Sequence, residues 1–558
     1  MENSRKWEKD QADAVIVGAG ASGGVVAKEL AAAGMKVVLL ERGALIDPAK
    51  YRQHDELATR RTGSPLPDYA PSETRHPREF RFQGEKEFRK ILPSGGSYGW
   101  MGGVVGGGQL TYAALMWRRP PIDFRMKSEY GPVAGTTLED WPLSYEELEP
   151  FYDKAEKEIG VCGEGGINPF EGKRSSPFPL PPLNPSPGDE LLQRAAHKLG
   201  YHPFMSPLGI VTRDYRGRGG CIHHPCCNGF VCEIGAKSSM VSAFLPELQK
   251  SENCRLIPLA VAAEITTNSR GKPDGVRYFD QRGRAVHQRA RLIVLAASAT
   301  ETPRLLLNSK SRWFPRGMAN PNDWVGRNLM GHTGPKAYAF FPEATSEGVG
   351  PGTGLALDDF HGKNPGLVGG GVLYSHCLTT PLNFAGIRPP GEPEWGRPHK
   401  KFQREQFNHY YRITSPAEDL PQFENRVEAS PQVRDAWGIP VARITHSFHA
   451  NDHALFDFLT GKMERLLREA GAREVFAGNS SRGGISLHQN GTCRMGNDPK
   501  TSVVNRYGQT HEVDSLFVVD GSLFVTSGGR NPALTIQALA YWSSDYLVQQ
   551  WKGGAWHR

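Results

Sequence analysis

Cysteine and long apolar runs are the scarce features of this sequence. Eight cysteines in 558 residues are too few for a disulfide-stabilised scaffold. No run of about 18 apolar residues occurs, so the sequence offers no membrane-spanning helix. The net charge of +7 is spread along the chain rather than gathered into a basic tract, so it gives no argument for a nucleic-acid partner and none is expected. Residues 1–10 are polar and contain neither an apolar signal core nor a twin-arginine pair, so we expect synthesis in the cytoplasm.

Length and glycine content indicate a large protein whose backbone approaches a ligand closely. At 558 residues the chain exceeds the usual size of a single core, so two domains or one elaborated domain are expected. The 64 glycines and 42 prolines indicate long loops and places where no side chain separates the backbone from a ligand.

A β-α-β unit opens the sequence. The apolar, β-branched residues 13–17 predict a buried parallel strand, and the motif Gly18-Ala19-Gly20-Ala21-Ser22-Gly23 follows them directly. An alanine-rich helix is predicted next, and residues 36–40 predict a second strand. The glycines permit a tight turn and close contact with a pyrophosphate, and the helix N-terminus offers amide donors and a positive dipole end. The unit therefore predicts a dinucleotide site.

Glu41 narrows the choice of dinucleotide. It lies 18 residues after Gly23, at the end of the second predicted strand. A carboxylate there accepts hydrogen bonds from the adenosine ribose hydroxyls and repels a 2′-phosphate, so NADP is disfavoured. The unit alone does not separate FAD from NAD.

The remaining patterns predict a discontinuous architecture. Strands are predicted at residues 256–267 and 276–279, and buried strands at residues 291–297 and 516–519, whereas residues 47–90 have no clear period and are expected to be irregular. Residues 336–485 alternate apolar and polar positions, which predicts a mainly antiparallel sheet. We expect an α/β fold, α+β overall, in which a substrate domain interrupts a Rossmann-type nucleotide domain. The predicted nucleotide domain comprises residues 10–46, 90–130, 220–335 and 486–552, and the substrate domain with its connectors comprises residues 131–219 and 336–485.

Several segments resemble the glucose-methanol-choline (GMC) oxidoreductases. They are the first β-α-β unit and residues 102–108, 325–332, 488–496, 520–522 and 531–535. Because these segments span the chain in family order, the resemblance is specific. Trp117-Arg118 with Asp123-Phe124, and residues 144–150, are similar to the bacterial FAD subunits of fructose, glucose and gluconate dehydrogenases and to glucoside 3-dehydrogenases.

The resemblance implies FAD as the cofactor and a set of residues that bind it. By position, Gly106 and Gly107 would lie against the flavin and the pyrophosphate. Val261 would contact adenine through its backbone, and Asp520 and Gly521 would lie at the ribityl–pyrophosphate end. The predicted cofactor-binding residues are Gly18, Gly20, Ser22, Gly23, Glu41, Gly106, Gly107, Val261, Asp520, Gly521 and Thr535.

The resemblance also implies the chemistry, which is oxidation of an alcohol C–OH to a carbonyl with hydride passing to flavin N5. This reaction needs a base in contact with the hydroxyl group, and histidine suits the role because its neutral form exists near pH 7. His488 is predicted to be that base. Asn531 is predicted to donate to the substrate oxygen and orient it, since an amide cannot act as a base. His332 and His511 are expected to be structural.

The branch that the sequence resembles predicts a sugar or glycoside as substrate and an electron acceptor other than O₂. One alternative is an FAD-dependent oxidase of a non-sugar alcohol that uses O₂. Another is a flavin-binding structural subunit, or a lyase without net redox chemistry. The resemblance further implies a small subunit and a cytochrome c as partners. Two locations are then possible: the periplasm, reached by export together with the small subunit, or the cytoplasm. Direct insertion into a membrane is not expected.

Four of the eight cysteines lie between Cys221 and Cys232. The spacing Cys226-Cys227-x₄-Cys232 resembles the 3Fe–4S site of the fructose and glucose dehydrogenase subunits, in which thiolates hold the cluster. Those relatives carry a further Cys and Pro downstream that this sequence lacks. The neighbouring histidines make zinc an alternative, and plain thiols or a disulfide are a third.

Overall fold

The computed structural model describes residues 11–48, 76–91, 98, 102–346, 348–376, 379–478 and 487–556. In chain order, its strands are β1 (Gln11–Val17), β2 (Val37–Leu40), β3 (Arg78–Arg81), β4 (Arg89–Ile91), β5 (Pro203–Met205), β6 (Cys254–Ile257), β7 (Val261–Thr267), β8 (Pro273–Phe279), β9 (Ala285–Leu295), β10 (Lys336–Phe340), β11 (Leu355–Leu357), β12 (Leu373–Ser375), β13 (Tyr410–Thr414), β14 (Arg426–Arg434), β15 (Pro440–Thr445), β16 (Glu474–Ala477) and β17 (Leu516–Val518). Its α-helices are α1 (Ala21–Ala32), α2 (Met126–Tyr130), α3 (Tyr145–Ile159), α4 (Pro187–Lys198), α5 (Met240–Ala243), α6 (Leu245–Lys250), α7 (Ser298–Asn308), α8 (Pro381–Phe384), α9 (Gly396–Gln406), α10 (Ala450–Glu469) and α11 (Ala533–Lys552).

The predicted β-α-β unit, β1-α1-β2, lies inside a mixed sheet. Among the described residues, seven strands form this sheet, in the order β6-β2-β1-β9-β8-β7 with β17 paired to the second half of β9. Strands β6, β2, β1, β9 and β17 are parallel, whereas β7 and β8 extend the sheet in antiparallel pairs. This arrangement confirms the predicted Rossmann-type architecture.

Apolar strands lie under helices in this sheet. Every residue of β2 is buried, and Ala14, Val15 and Ile16 of β1 are fully buried. Val25 of α1 and Leu534 of α11 belong to the same hydrophobic core. Because the strands are covered on their faces, their sequences are continuously apolar rather than alternating. The carboxyl ends of the parallel strands meet at one edge of the sheet, which is where ligands bind in such folds.

A second sheet is antiparallel throughout. Its order is β16-β10-β13-β12-β11-β5, counting the six strands that the described residues form. Leu455, Leu459 and Met463 of α10 pack in its core. The sheet confirms the antiparallel structure predicted for residues 336–485. Strand β5 joins it from much earlier in the chain by pairing with β11.

Two local predictions are wrong. Residues 47–90 are not irregular throughout, because β3 and β4 lie within this range or at its end. β3 pairs with β15, where Arg443 lies 3.1 Å from Glu79, 364 residues away in the chain. Residues 256–267 are not one strand, because β6 ends at Ile257, Leu259 has a φ of +56° and β7 begins at Val261. Pairing with a distant strand and a single left-handed residue leave no periodic signal in the sequence.

The seven-stranded sheet takes its strands from residues 11–40, 254–295 and 516–518. The domain boundaries given above stay a prediction. Within the part of the chain that the structure describes, no helix has both the length and the apolar character needed to cross a membrane.

Asp189 joins α4 to three strands of the second sheet. Its buried carboxylate accepts hydrogen bonds from Leu355 N (3.0 Å), Ser375 Oγ (2.6 Å) and the Tyr411 hydroxyl (2.6 Å). We predict that Asp189→Ala lowers the midpoint of thermal unfolding, because each buried donor left without an acceptor costs about 1–3 kcal/mol. Glu190→Ala, in the same helical turn but exposed, is the matched control. Equal midpoints for the two variants by circular dichroism would contradict this role.

Candidate active site

The first glycine motif forms the tight turn from β1 to α1. Gly18 has a φ of +105°, and a Cβ there would lie 2.3 Å from the carbonyl oxygen of Ala296. A Cβ on Gly23 would lie 1.9 Å from the carbonyl oxygen of Gly18, so α1 packs directly on the turn. A Cβ on Gly20 meets no atom within 4 Å, because Gly20 faces a cavity. α1 begins at Ala21, which also lines the cavity, so the unpaired amides of its first turn lie there.

Glu41 binds the glycine turn to the end of β2. Its Oε2 accepts a hydrogen bond from Ala19 N (2.9 Å), and its Oε1 accepts one from Gly43 N (2.8 Å). Burial raises the pKa of Glu41, although the two amides oppose that effect. Glu41 also lines the cavity. Each carboxylate oxygen retains capacity for another donor, so Glu41 can accept hydroxyl groups from a ligand.

The second glycine loop packs against the first. Gly106 N donates to the carbonyl oxygen of Ala19 at 2.8 Å. Gly106 and Gly107 have φ values of +96° and +57°, and a Cβ on Gly107 would lie 3.4 Å from Gly20 Cα. Backbone of one loop therefore contacts backbone of the other, and the two motifs form one wall of the cavity.

One cavity of about 640 Å³ unites most of the predicted site residues. Those that line it are Gly18, Gly20, Ser22, Glu41, Gly107, Val261, His488, Asp520, Gly521 and Asn531. Gly23 and Gly106 are absent from the lining and support it from behind, as their contacts with the turn show. Thr535 is also absent from the lining, and its Oγ1 hydrogen-bonds to the Tyr152 hydroxyl at 2.9 Å.

The carboxylate of Asp520 accepts hydrogen bonds from protein groups. Its Oδ2 accepts hydrogen bonds from Ser298 N (3.0 Å) and Thr302 Oγ1 (2.6 Å), and its Oδ1 accepts one from Ser522 N (2.9 Å). Burial raises the pKa of Asp520, and these donors oppose the shift. The side chain therefore holds the start of α7 against the end of β17, at the rim of the cavity.

Gln109 is a site residue that sequence reasoning missed. It is 5 % exposed and lines the cavity, and neither its Oε1 nor its Nε2 has a hydrogen-bond partner among the described residues. A buried amide in this state is costly unless a ligand completes its hydrogen bonds. The only available signal was its position directly after the second glycine motif. With the open space at Gly20 and the Glu41 carboxylate, Gln109 makes the cavity fit a dinucleotide such as FAD.

His488 and Asn531 lie side by side in the cavity wall. Asn531 Nδ2 is 3.2 Å from His488 Nε2. Trp117 Nε1 donates to Asn531 Oδ1 at 3.0 Å, and because an indole only donates, this contact turns Nδ2 towards His488. The Tyr374 hydroxyl also hydrogen-bonds with the Asn531 amide. Burial lowers the pKa of His488 to about 4, so its imidazole is neutral at neutral pH.

His332 contacts the second ring nitrogen of His488, which sequence reasoning did not anticipate. The two Nδ1 atoms are 2.9 Å apart. His332 is fully buried, and burial holds its pKa well below the ordinary value. The sequence signal that could have pointed to His332 was its place in the segment 325–332, which resembles the family. His511 instead hydrogen-bonds to Ser502 Oγ at 2.9 Å and does not line the cavity.

The predicted cluster cysteines lie in a loop beside the cavity. Cys226, Cys227 and Cys232 line a separate small cavity of about 40 Å³. Burial raises the pKa of the Cys227 thiol to about 11, and the Lys237 ammonium donates to the Cys227 carbonyl oxygen at 2.7 Å. Across the described ranges, no three His, Cys, Asp or Glu side chains are arranged to hold a metal ion. The thiols as placed therefore do not fit a 3Fe–4S cluster or zinc.

Comparison with known proteins agrees with this geometry. Two models of the GMC oxidoreductase family match residues 12–334 and 421–540. The sequence is 31% identical to the 2-methyl-1,2-propanediol dehydrogenase of Mycolicibacterium austroafricanum, over 97% of this chain and 96% of the relative. It is 28% identical to the fructose dehydrogenase large subunit of Gluconobacter japonicus, over 97% of this chain and 99% of the relative.

The fold also matches a solved structure, that of pyridoxine 4-oxidase from Mesorbium loti, with a TM-score of 0.64 and 17% identity, over 96% of this chain and 98% of that chain. The family models cover more than half of the present sequence and contain both glycine loops, His488 and Asn531. The chain therefore belongs to the GMC oxidoreductase family, and it is an enzyme that oxidises an alcohol with FAD as its cofactor.

Proposed function

We propose that the enzyme oxidises a C–OH group of a sugar or glycoside to a carbonyl and passes the electrons to an acceptor other than O₂. The observation that carries this proposal is the single cavity that joins the dinucleotide-binding glycine turn to His488 and Asn531. The similarity to a fructose dehydrogenase large subunit supports a sugar as substrate. The hydroxyl of Tyr374 and the amide of Asn531 provide polar contacts of the kind that a polyhydroxy substrate uses.

His488 is the base in this proposal. Its imidazole is neutral and lines the cavity, so it can take the proton of the substrate hydroxyl group. Asn531 Nδ2 donates to the substrate oxygen and holds it beside His488, but cannot take the proton itself. FAD supplies the acceptor for the hydride that leaves the same carbon. Loss of one proton and one hydride converts the alcohol into the carbonyl.

The residues that would hold FAD lie in the cavity wall that the two glycine loops form. Backbone amides at Gly20, Ser22 and Gly107 suit the pyrophosphate, Glu41 suits the ribose hydroxyls, and Gln109 supplies an amide that has no hydrogen-bond partner within the described part of the chain. The 3Fe–4S cluster expected from the resemblance has no part in the proposed mechanism, because the described residues offer it no set of three ligands.

A second candidate is oxidation of a non-sugar alcohol. The similarity to a 2-methyl-1,2-propanediol dehydrogenase favours it, because that relative acts on a small branched diol. In this alternative the enzyme is an oxidase, which passes the electrons from such an alcohol to O₂. Substrate class and acceptor are separate questions, and one experiment can address both.

We predict that Gly20→Val weakens FAD binding roughly tenfold or more, which corresponds to about 1.4 kcal/mol. A Cβ at Gly20 meets no atom within 4 Å and Gly20 lines the cavity, so we expect the new side chain to compete with the ligand rather than with the fold. Flavin content after gel filtration and titration of the apoprotein with FAD measure the effect. Gly461→Ala is the matched control, since its Cβ also meets nothing within 4 Å but lies on helix α10. Undiminished FAD binding by Gly20→Val would place the cofactor elsewhere.

The FAD-loaded enzyme should be reduced by sugars in the absence of air. We propose mixing it anaerobically with fructose, glucose, gluconate, a methyl glucoside and 2-methyl-1,2-propanediol, and following loss of the visible flavin absorbance. At least one sugar should bleach the flavin faster than the diol. In air, cytochrome c should be reduced with little hydrogen peroxide formed. Bleaching by the diol alone, or stoichiometric peroxide, supports the second candidate, and no bleaching by any alcohol refutes both.

A small subunit and a cytochrome c stay predictions from the resemblance. The name of one relative, a dehydrogenase large subunit, supports them. Purification of the protein from its native host tests this partnership: a smaller protein should co-purify with it. A chain that purifies alone with full cytochrome c reductase activity would remove the small subunit from the proposal.

His488→Ala should retain FAD and slow flavin reduction by roughly 10²–10⁴, the usual contribution of a general base. In the wild-type enzyme, the reduction rate should fall as the pH drops towards about 4, because the protonated imidazolium cannot accept the hydroxyl proton. Anaerobic stopped-flow measurements give both quantities. His511→Ala is the control histidine, outside the cavity lining. A normal rate in His488→Ala would assign the base to another residue.

A further inference from the structure

His332 is a buried histidine that touches the proposed base but does not line the cavity. We propose that His332 is a positioning residue, which holds His488 in the tautomer that carries its proton on Nδ1. Nε2 is then the atom that accepts the alcohol proton. This inference rests on the proposed role of His488, and it concerns how that role is enforced.

The backbone carbonyl of Ser527 decides the tautomer of His332. Its oxygen lies 3.3 Å from His332 Nε2, and because a carbonyl oxygen only accepts, Nε2 must carry a proton. Burial holds the pKa of His332 well below the ordinary value, so the ring is neutral and has a single ring proton. His332 Nδ1 is therefore an acceptor. The proton in the 2.9 Å contact between the two Nδ1 atoms then belongs to His488.

Asn531 leads to the same assignment from the opposite side of the His488 ring. Trp117 Nε1 fixes Asn531 Oδ1 as the acceptor, which leaves Asn531 Nδ2 as a donor 3.2 Å from His488 Nε2. A donor at that distance requires an unprotonated Nε2. Two independent contacts, one at each ring nitrogen, thus place the proton on Nδ1. In the other tautomer both contacts would set like groups against each other.

Two acidic residues hydrogen-bond to the segments that contain His332 and Ser527. Glu418 accepts hydrogen bonds from Ser527 Oγ (2.8 Å) and Gly528 N (2.9 Å). Asp419 accepts one from Gly331 N (2.7 Å), and its own N–H donates to Ser527 Oγ (2.8 Å). The segments that carry the Ser527 carbonyl group and His332 are thereby both hydrogen-bonded to residues 418–419, so the distance between them is set before a substrate binds.

Two substitutions of His332 separate positioning from packing. His332→Leu removes the acceptor, whereas His332→Asn keeps an oxygen near the position of Nδ1. With the sugar that bleaches the flavin fastest, we expect His332→Leu to lower the limiting rate of flavin reduction on the order of tenfold to hundredfold, the kinetic equivalent of one hydrogen bond to a charged group. KM should change less, FAD content should be unchanged, and His332→Asn should recover most of the rate. A wild-type rate in His332→Leu, or an Asn variant as slow as Leu, would overturn the inference.

Nitrogen NMR of the unsubstituted holoenzyme tests the tautomer without relying on a variant fold. After labelling histidine with ¹⁵N, the His488 signals are assigned by their loss in His488→Ala. A protonated Nδ1 and an unprotonated Nε2 are expected, and the reverse pattern would refute the inference. If His488→Ala reduces flavin normally, the proposed function loses its base as well. If His488→Ala is slow while His332→Leu is normal, only the role of His332 fails.

Discussion

The peptide group of Ala19 joins three segments that are distant in the sequence. Its N–H donates to the Glu41 carboxylate at the end of β2, and its carbonyl oxygen accepts from Gly106 N in the second glycine loop. The second glycine loop and the segment after β2 approach at backbone distance, since a Cβ on Gly43 would lie 1.8 Å from the carbonyl oxygen of Gly103. The cavity wall, and with it the place of the cofactor, depends on this approach. Any side chain between the loops would separate them and open the site.

At the end of the cavity that contains His488 and Asn531, the side chains are held in place because buried polar groups need hydrogen-bond partners. His488 and His332 are neutral because burial disfavours their charged forms, so each ring has one donor and one acceptor. The Ser527 carbonyl oxygen and the Asn531 amide then permit a single arrangement of protons. Burial thus contributes twice, by keeping the proposed base unprotonated and by making its orientation costly to change.

In the cysteine loop, the resemblance predicts a cluster site that the geometry does not support. The spacing of Cys226, Cys227 and Cys232 resembles a cluster-binding segment, and the family is shown by models that match residues 12–334 and 421–540. Cluster binding, however, requires three thiolates that converge on one point, and the described residues contain no such group. Spacing along a chain constrains only how far apart ligands can be. Their convergence depends on the fold of the loop between them.

The sequence by itself determined the features that depend on neighbouring residues. The turn at Gly18 and the acidic residue after β2 both follow from local backbone chemistry, and the structure contains both. His488 and Asn531 were identified through resemblance, not through local pattern. The pairing of β3 with β15, the burial of the Gln109 amide in the cavity wall and the contact of His332 with His488 were decided by tertiary structure alone. Each of them depends on segments far apart in the chain, whose approach is driven by burial of a common core and leaves no periodic trace in either segment.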